Sequence, residues 1–351
     1  MGHRRFALIL WLLAALAGPV LAAPGAAQPA AAAAVDQAAF ATFLDGVRQE
    51  ALQRGIKPAT VHTALADVKP IMRIIERDRA QAEFKLTLET YRARVVTPAN
   101  IARGQQMAAT HRKLLDAVAR RYHVQPRFIL AIWGMETRYG AVKANVPLIP
   151  ALATLAFDAR RPQFFRNQLF DALSILDRGY IGLDRLYGSW AGAMGQPQFM
   201  PSSYLAYAQD FDGDGKRDIW QNPGDVFASI ANYLAQHGWR DDMTWGRAVR
   251  LPAKIDDAKI EQARAAAPAC RAKTTETRKL AQWQALGVRR SDGGALPARD
   301  IDAVLVLPEG RTGPAFLVYA NYAAIMAYNC AHLYAVTVGT LADRIGAVPN
   351  G

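Results

Sequence analysis

Apolar residues return at helical spacing through most of this 351-residue chain, and no other feature constrains the fold as much. A chain that repeats apolar side chains every three to four residues has helical stripes to bury. From Asp36 to His123 the pattern is helical throughout, with Phe40, Phe43, Leu44 and Val47 on one stripe and a long, charged, amphipathic stretch over 71–96. Thr97-Pro98 pairs a capping hydroxyl with a proline suited to the first helical position. A second start falls at Pro126, after which Phe128, Ile129, Ile132, Trp133 and Glu136 keep helical spacing until Gly140, a residue able to end the helix. Short helices are expected over 148–157 and 162–178. Residues 179–224 are rich in Gly, Pro, Asp and Ser and read mostly as loop, and 225–237 is helical again. The texture then changes: 244–251, 303–307 and 315–319 read as short strands around Pro/Gly turns, before helices return at 320–328 and 334–345. No internal repeat is visible. The expected fold is mostly α (α+β), with a small β domain near the C-terminal end.

The first residues have the plan of an export signal. His3, Arg4 and Arg5 precede an apolar run over 6–16. Gly18 and Pro19 break the run, and Val20-Leu21-Ala22 supplies small residues for cleavage. The run is short for a membrane span, so a cleaved signal peptide over 1–22, a periplasmic product and no transmembrane domain after cleavage are expected. No Cys lies near the cleavage point, so a lipoprotein is not expected. Residues 23–35 are Ala-, Pro- and Gly-rich and read as a linker. Cleavage removes Arg4 and Arg5 and no acid, so the formal charge of +12 falls by only two. A basic chain favours an anionic partner. The cations are scattered rather than clustered, and the chain carries an export signal, so nucleic acid is a poor candidate. Peptidoglycan, with free carboxylates on its stem peptides, fits. Cys270 and Cys330 are the two cysteines; spacing alone leaves their pairing open.

Two segments carry chemistry. In "GMETRYG" (134–140), Glu136 shares a helical face with Trp133, Ile132 and Ile129. Burial on such a face raises a carboxyl pKa, which is what a general acid near neutral pH needs. The same Glu could instead pair with Arg138. The second segment, "GSWAGAMGQPQFMPSSY" (188–204), is glycine-rich and interleaves the amides and hydroxyl of Ser189, Gln196 and Gln198 with the flat faces of Trp190, Phe199 and Tyr204. That mixture suits a sugar, and it also suits a structural loop packing its rings inward.

Together these segments resemble the lytic murein transglycosylases, in particular the membrane-bound lytic transglycosylase B family. The similarity continues through "ALATLAFDARR" (151–161), "DFDGDGKRDIW" (210–220), "SIANYL" (229–234) and "YNCAHLYAVTVGTLADRI" (328–345). The resemblance implies a lysozyme-like core (126–243), a helical domain built from 36–125 and 320–351, and a small β domain (244–319). It implies cleavage of the β-1,4 bond between N-acetylmuramic acid and N-acetylglucosamine with a 1,6-anhydromuramic product. Glu136 would be acid and then base. Ser189 and Gln198 would lie beside the sugar, with Tyr233, Tyr328, Asn329 and Tyr334 lining the cleft. Arg160 and Arg161 would face peptide carboxylates, and Tyr91 is a looser correspondence. Alternatives are a hydrolytic muramidase, for which Asp158 is the nearest second carboxylate, and a non-catalytic peptidoglycan-binding scaffold. No HExxH or GxSxG motif suggests a protease.

No cofactor is expected for catalysis. Asp210, Asp212 and Asp214 take positions 1, 3 and 5 of an EF-hand-like loop, followed by Gly215, the Lys216 carbonyl and Asp218 at 6, 7 and 9. Gln221 stands where a closing Glu would be, and the resemblance implies Asp225 as the closing ligand. Structural Ca2+ is expected there.

Overall fold

The computed structural model describes residues 36–80, 86–253, 255, 263–264 and 273–347. The expected signal peptide, the linker and Cys270 lie outside these residues. The chain forms two compact units, each assembled from separated stretches of sequence.

One unit joins residues 36–80 to 142–222. Its first helix, Gln37–Gln53, starts where the Asp36 carboxylate accepts the N–H groups of Ala38 and Ala39. The stripe read from sequence is the buried one: Phe40, Leu44 and Val47 are buried, and Phe40 and Phe43 both meet the ring of Phe157 edge-on. Helices Pro58–Leu65 and Met72–Ala80 follow. Helices Leu148–Phe157 and Pro162–Asp177 pack along each other and bury eight and seven side chains. Arg166 binds Glu50 at 2.6 Å and Thr60 donates to Asp177 at 2.7 Å, tying the early helices to the later ones. Residues 179–222 are mostly loop, as their composition indicates, with a short 3-10 turn, Leu183–Arg185, and a short α-helix, Pro201–Tyr207.

The other unit joins 86–141 to 223–347. The stretch 71–96 is not one helix: Met72–Ala80 and Leu88–Val95 are separate and fall in different units. Pro98–Thr110 begins as read, with the Thr97 hydroxyl accepting from Asn100 N, and Arg112–Tyr122 follows. Helix Pro126–Thr137 lies against helix His332–Gly346, and Pro223–Gln236 and Ala320–Tyr328 pack beside them.

The β domain is an antiparallel sheet in the order Arg278–Lys279, Asp302–Val306, Ala315–Val318, Gly246–Arg250, Arg289–Arg290. Its register pairs Ala248 with Phe316 and Leu305 with Leu317. The core is closed by helix Leu280–Ala285, which buries Trp283 completely and sends its indole N–H to Ala303 O at 3.0 Å. Trp283 packs in one core with Val249, Leu280, Val288, Leu305 and Leu317, and each such buried large apolar side chain stabilises by about 1.5–3 kcal/mol. Mostly α with a small β domain is therefore the fold. No helix among the described residues is long and apolar enough to cross a membrane.

Candidate active site

Glu136 lies one residue before the end of helix Pro126–Thr137. Pro126 opens this helix, and every residue from Phe128 to Gly134 is buried. The helix is thus apolar on all sides, not on one face as its spacing suggested. It also ends earlier than Gly140, at Thr137. Arg138 and Tyr139 take left-handed φ values of 51° and 59° ahead of Gly140, a conformation uncommon outside glycine. Tertiary packing enforces it. The Tyr139 ring is buried edge-on to Trp133 at 5.5 Å, and its hydroxyl donates to Asn100 O at 3.0 Å. The ring lies so close to Gly134 that a Cβ there would come within 2.5 Å of it. The turn fixes the chain directly after Glu136.

The Glu136 side chain is 8% exposed. Burial raises its pKa to about 8, against a smaller lowering by the Tyr334 hydroxyl, which donates to Oε1 at 2.7 Å. Near neutral pH the carboxyl is therefore mostly protonated and can give its proton to a neighbouring oxygen. Burial and the charge of Glu136 raise the hydroxyls of Tyr91, Tyr328 and Tyr334 above the usual phenol range.

A file of rings leads to it: Tyr328 stacks with Tyr334 at 6.5 Å, Tyr233 tilts against Tyr328 at 4.7 Å, and His237 stacks on Tyr233 at 4.3 Å. The Tyr233 hydroxyl donates to Ala327 O at 2.7 Å. Asn329 is buried just after helix Ala320–Tyr328. On the other side Tyr91 donates to Met135 Sδ at 3.9 Å. One unit thus holds Glu136, Tyr91, Tyr233, Tyr328, Asn329 and Tyr334. His237 and Met135 were passed over in the sequence. His237 could have been found, because it follows Tyr233 at i+4 spacing.

Tyr334→Phe removes the hydrogen bond that lowers the Glu136 pKa. The Glu136 titration should move up, seen as a protonated-carboxyl infrared band persisting to higher pH than in the parent.

Ser189 and Gln198 belong to the other unit. There the 188–204 segment folds back on itself, with Met194 and Phe199 exchanging backbone hydrogen bonds and Ser189 N donating to Ala193 O at 2.7 Å. Ser189 Oγ accepts from Ala193 N at 3.1 Å, which leaves its O–H to donate elsewhere. Gly195 has φ +63°, and a Cβ there would meet Ile219 O at 2.7 Å, so the turn needs glycine. Gln198 is itself left-handed at φ 53°. Its Nε2 donates to Gly195 O at 2.8 Å, while its Oε1 is buried with no partner among the described residues. An open buried acceptor costs about 1–3 kcal/mol, so this atom favours an incoming donor such as a hydroxyl.

Arg160 and Arg161 converge on one carboxylate, that of Asp78, at 2.8 and 2.6 Å, and Asp78 is 2% exposed. Asp158 binds Arg79 at 3.2 Å and accepts the Arg160 N–H, a structural arrangement. In the 210–218 loop the carboxylates of Asp210, Asp212 and Asp214 each bring an oxygen within 4.8 Å of the others. Each also accepts a loop N–H: Gly213 and Gly215 on Asp210, Asp214 on Asp212, Lys216 on Asp214. Such convergence of hard oxygens suits Ca2+. Asp218 turns to the N–H groups of Trp220 and Gln221. Asp225 is fully buried in the first turn of helix Pro223–Gln236, in the unit that holds Glu136.

Residues 39–343 match the family model described as Transglycosylase SLT domain. A 150-residue stretch, 42% of this chain, is 41% identical to membrane-bound lytic murein transglycosylase B of Escherichia coli (strain K12) and spans 41% of that protein's length. SltB3 from Pseudomonas aeruginosa, solved in complex with NAG-anhNAM-pentapeptide, is 42% identical, with TM-score 0.80 over 89% of this chain and 82% of that one. The Escherichia coli lytic transglycosylase Slt35, solved in complex with calcium, is 28% identical, with TM-score 0.70 over 88% of this chain and 92% of that one.

Proposed function

The chain belongs to the transglycosylase SLT domain family, and from that membership we propose that it is a lytic transglycosylase of peptidoglycan. It cleaves the β-1,4 bond between N-acetylmuramic acid and N-acetylglucosamine and leaves a 1,6-anhydromuramic end. The observation that carries this reading is the Glu136 carboxyl, buried and held protonated at neutral pH at the end of a file of aromatic rings. The complex of SltB3 with NAG-anhNAM-pentapeptide supports it, because the product of such a reaction is an anhydro sugar.

The protons balance on one residue. Glu136 gives its proton to the glycosidic oxygen as the bond to the anomeric carbon breaks. The carboxylate then takes the proton of the muramic C6 hydroxyl as that oxygen bonds to its own anomeric carbon. No water is consumed, and the intramolecular attack has the advantage of a high effective molarity. The sugar N-acetyl group can support the cationic carbon, as in substrate-assisted glycosidases. The engagement of Asp158 with Arg79 and Arg160 counts against a two-carboxylate hydrolase. Tyr91, Tyr233, Tyr328, Asn329 and Tyr334 are assigned as glycan contacts in one unit and Ser189 and Gln198 in the other. Arg160 and Arg161, spread over Asp78, are assigned to stem-peptide carboxylates. Digestion of purified sacculi tests the reading: fragments one water lighter than a reducing sugar are expected, and reducing ends would overturn it.

The 210–218 loop is assigned to structural Ca2+, held by Asp210, Asp212 and Asp214 with the Lys216 carbonyl and Asp218 as further ligands by motif. Ca2+ at a hundred times its dissociation constant should stabilise the protein by about 2.7 kcal/mol. Thermal melts with Ca2+ and with a chelator would show the gain in the parent and lose it in Asp212→Asn/Asp214→Asn. The export signal supports a periplasmic location, and the basic charge supports association with the wall.

A further inference from the structure

Away from Glu136, the same unit contains a cavity of about 340 Å³, walled by the β sheet and by helices Leu88–Val95 and His332–Gly346. That volume falls within the range of small-ligand sites. Trp245 and Phe316, both nearly fully buried, give it an apolar wall. Four guanidinium groups line it: Arg92, Arg247, Arg290 and Arg344.

The two carboxylates in its walls are already engaged. Asp343 accepts from Trp245 Nε1 and from Arg127, each at 2.9 Å. Asp292 is paired with Arg290 and takes the Gly294 N–H at 2.9 Å. Arg247 donates its Nε to the Tyr319 hydroxyl at 2.6 Å. Arg92 and Arg344 form no salt bridge among the described residues, although the charges of Arg247 and Arg344 also attract the Asp343 carboxylate. Four guanidinium groups against two satisfied carboxylates leave the hollow with a net positive potential, which low-dielectric walls concentrate. Guanidinium groups bind carboxylates with paired, charge-assisted hydrogen bonds, and the rings beside them suit methylene and amide groups.

The hollow also has a fixed relation to Glu136. Tyr334, which hydrogen-bonds Glu136, and Arg344 lie on one helix; ten residues of helix span about 15 Å. Tyr91 and Arg92 are neighbours on another.

We propose that this hollow is an accessory site for the carboxylate end of an acidic peptide, the stem peptide of the glycan on which the enzyme acts. It holds that peptide about 15 Å along the C-terminal helix from the reacting bond. The identity of the peptide rests on the peptidoglycan reading; the preference for an organic carboxylate rests on the hollow alone.

Calorimetric titration with the sugar-free acidic pentapeptide tests it, using the whole protein in the Glu136→Gln background. Arg92→Gln/Arg344→Gln should weaken binding about tenfold or more with an unchanged melting midpoint, and Arg344→Glu, a change at an exposed site, should do the same. Inorganic phosphate at equal concentration should fail to displace the peptide. Undiminished affinity in both variants would overturn the site, and displacement by phosphate would overturn its assignment to a peptide. Sacculus digestion is read separately. Reducing ends together with arginine-dependent peptide binding would remove the lytic reading and leave the site; anhydro ends with arginine-independent binding would do the reverse.

Discussion

Glu136→Gln lowers turnover on peptidoglycan by about a thousandfold, with glycan binding retained. The amide keeps the size of the side chain and can still accept from Tyr334, but it has no proton to give to a leaving oxygen and cannot take one back. Both halves of the reaction run through this one group, so both are lost. In the parent, kcat/KM falls with rising pH as Glu136 deprotonates near its pKa of about 8.

Stability moves in a linked way. Glu136 titrates near 8 in the folded protein and at about 4.3 when unfolded. Between those values the folded state holds the extra proton, so stability falls as pH rises through that window. The glutamine variant lacks this loss. Its stability advantage over the parent should grow by on the order of 4 kcal/mol between pH 4 and pH 9, measured by denaturant melts across that range. A catalytic group that destabilises the fold when charged is typical of a site strained for function. A structural Glu136 would show the same pH-dependent stability difference, which follows from burial alone, but near-parental turnover.

Gly339→Ala is expected to be the most damaging small change outside the site. A Cβ at Gly339 would lie 2.2 Å from Cδ2 of Trp245. Trp245 cannot step aside: it is 2% exposed, hydrogen-bonded through Nε1 to Asp343 and neighboured by the rings of Phe316 and Tyr322. In an exposed helix the same change would stabilise by about 1 kcal/mol. Here overpacking should exceed that gain and destabilise by about 2–3 kcal/mol net, lowering the melting temperature by several degrees. Because His332–Gly346 also carries Tyr334, turnover should fall as well. A variant as stable as the parent would mean that this helix and the sheet are less tightly apposed.

Much of this was legible in the chain because it is local. The Thr97-Pro98 start, the stripe of Phe40, Leu44 and Val47, and the strands around Ala303 and Ala315 follow from capping, periodicity and turn chemistry. The choice of Glu136 as a candidate also followed locally, from a carboxyl embedded among apolar residues, although its role came from the resemblance carried by "GMETRYG" and the later motifs. What was not legible depends on distant partners. The end of the Glu136 helix at Thr137 rests on Tyr139 fitting against Gly134 and reaching Asn100. Arg160 and Arg161 find Asp78 across some eighty residues of sequence. The division of 126–222 between two units reflects which helices share a core, which periodicity within one segment does not encode. His237 was within reach of the sequence through its i+4 spacing to Tyr233, but only the stacking of its ring on Tyr233 shows what that spacing does.

The central claim is that one carboxyl directs a sugar hydroxyl, and no water, to the anomeric carbon. Digestion of purified sacculi in ¹⁸O-labelled water, followed by mass spectrometry of the released muropeptides, tests it most directly. The account predicts anhydromuramic ends without label from the parent and almost none from Glu136→Gln. Reducing muramic ends carrying ¹⁸O would contradict it and make the enzyme a hydrolase.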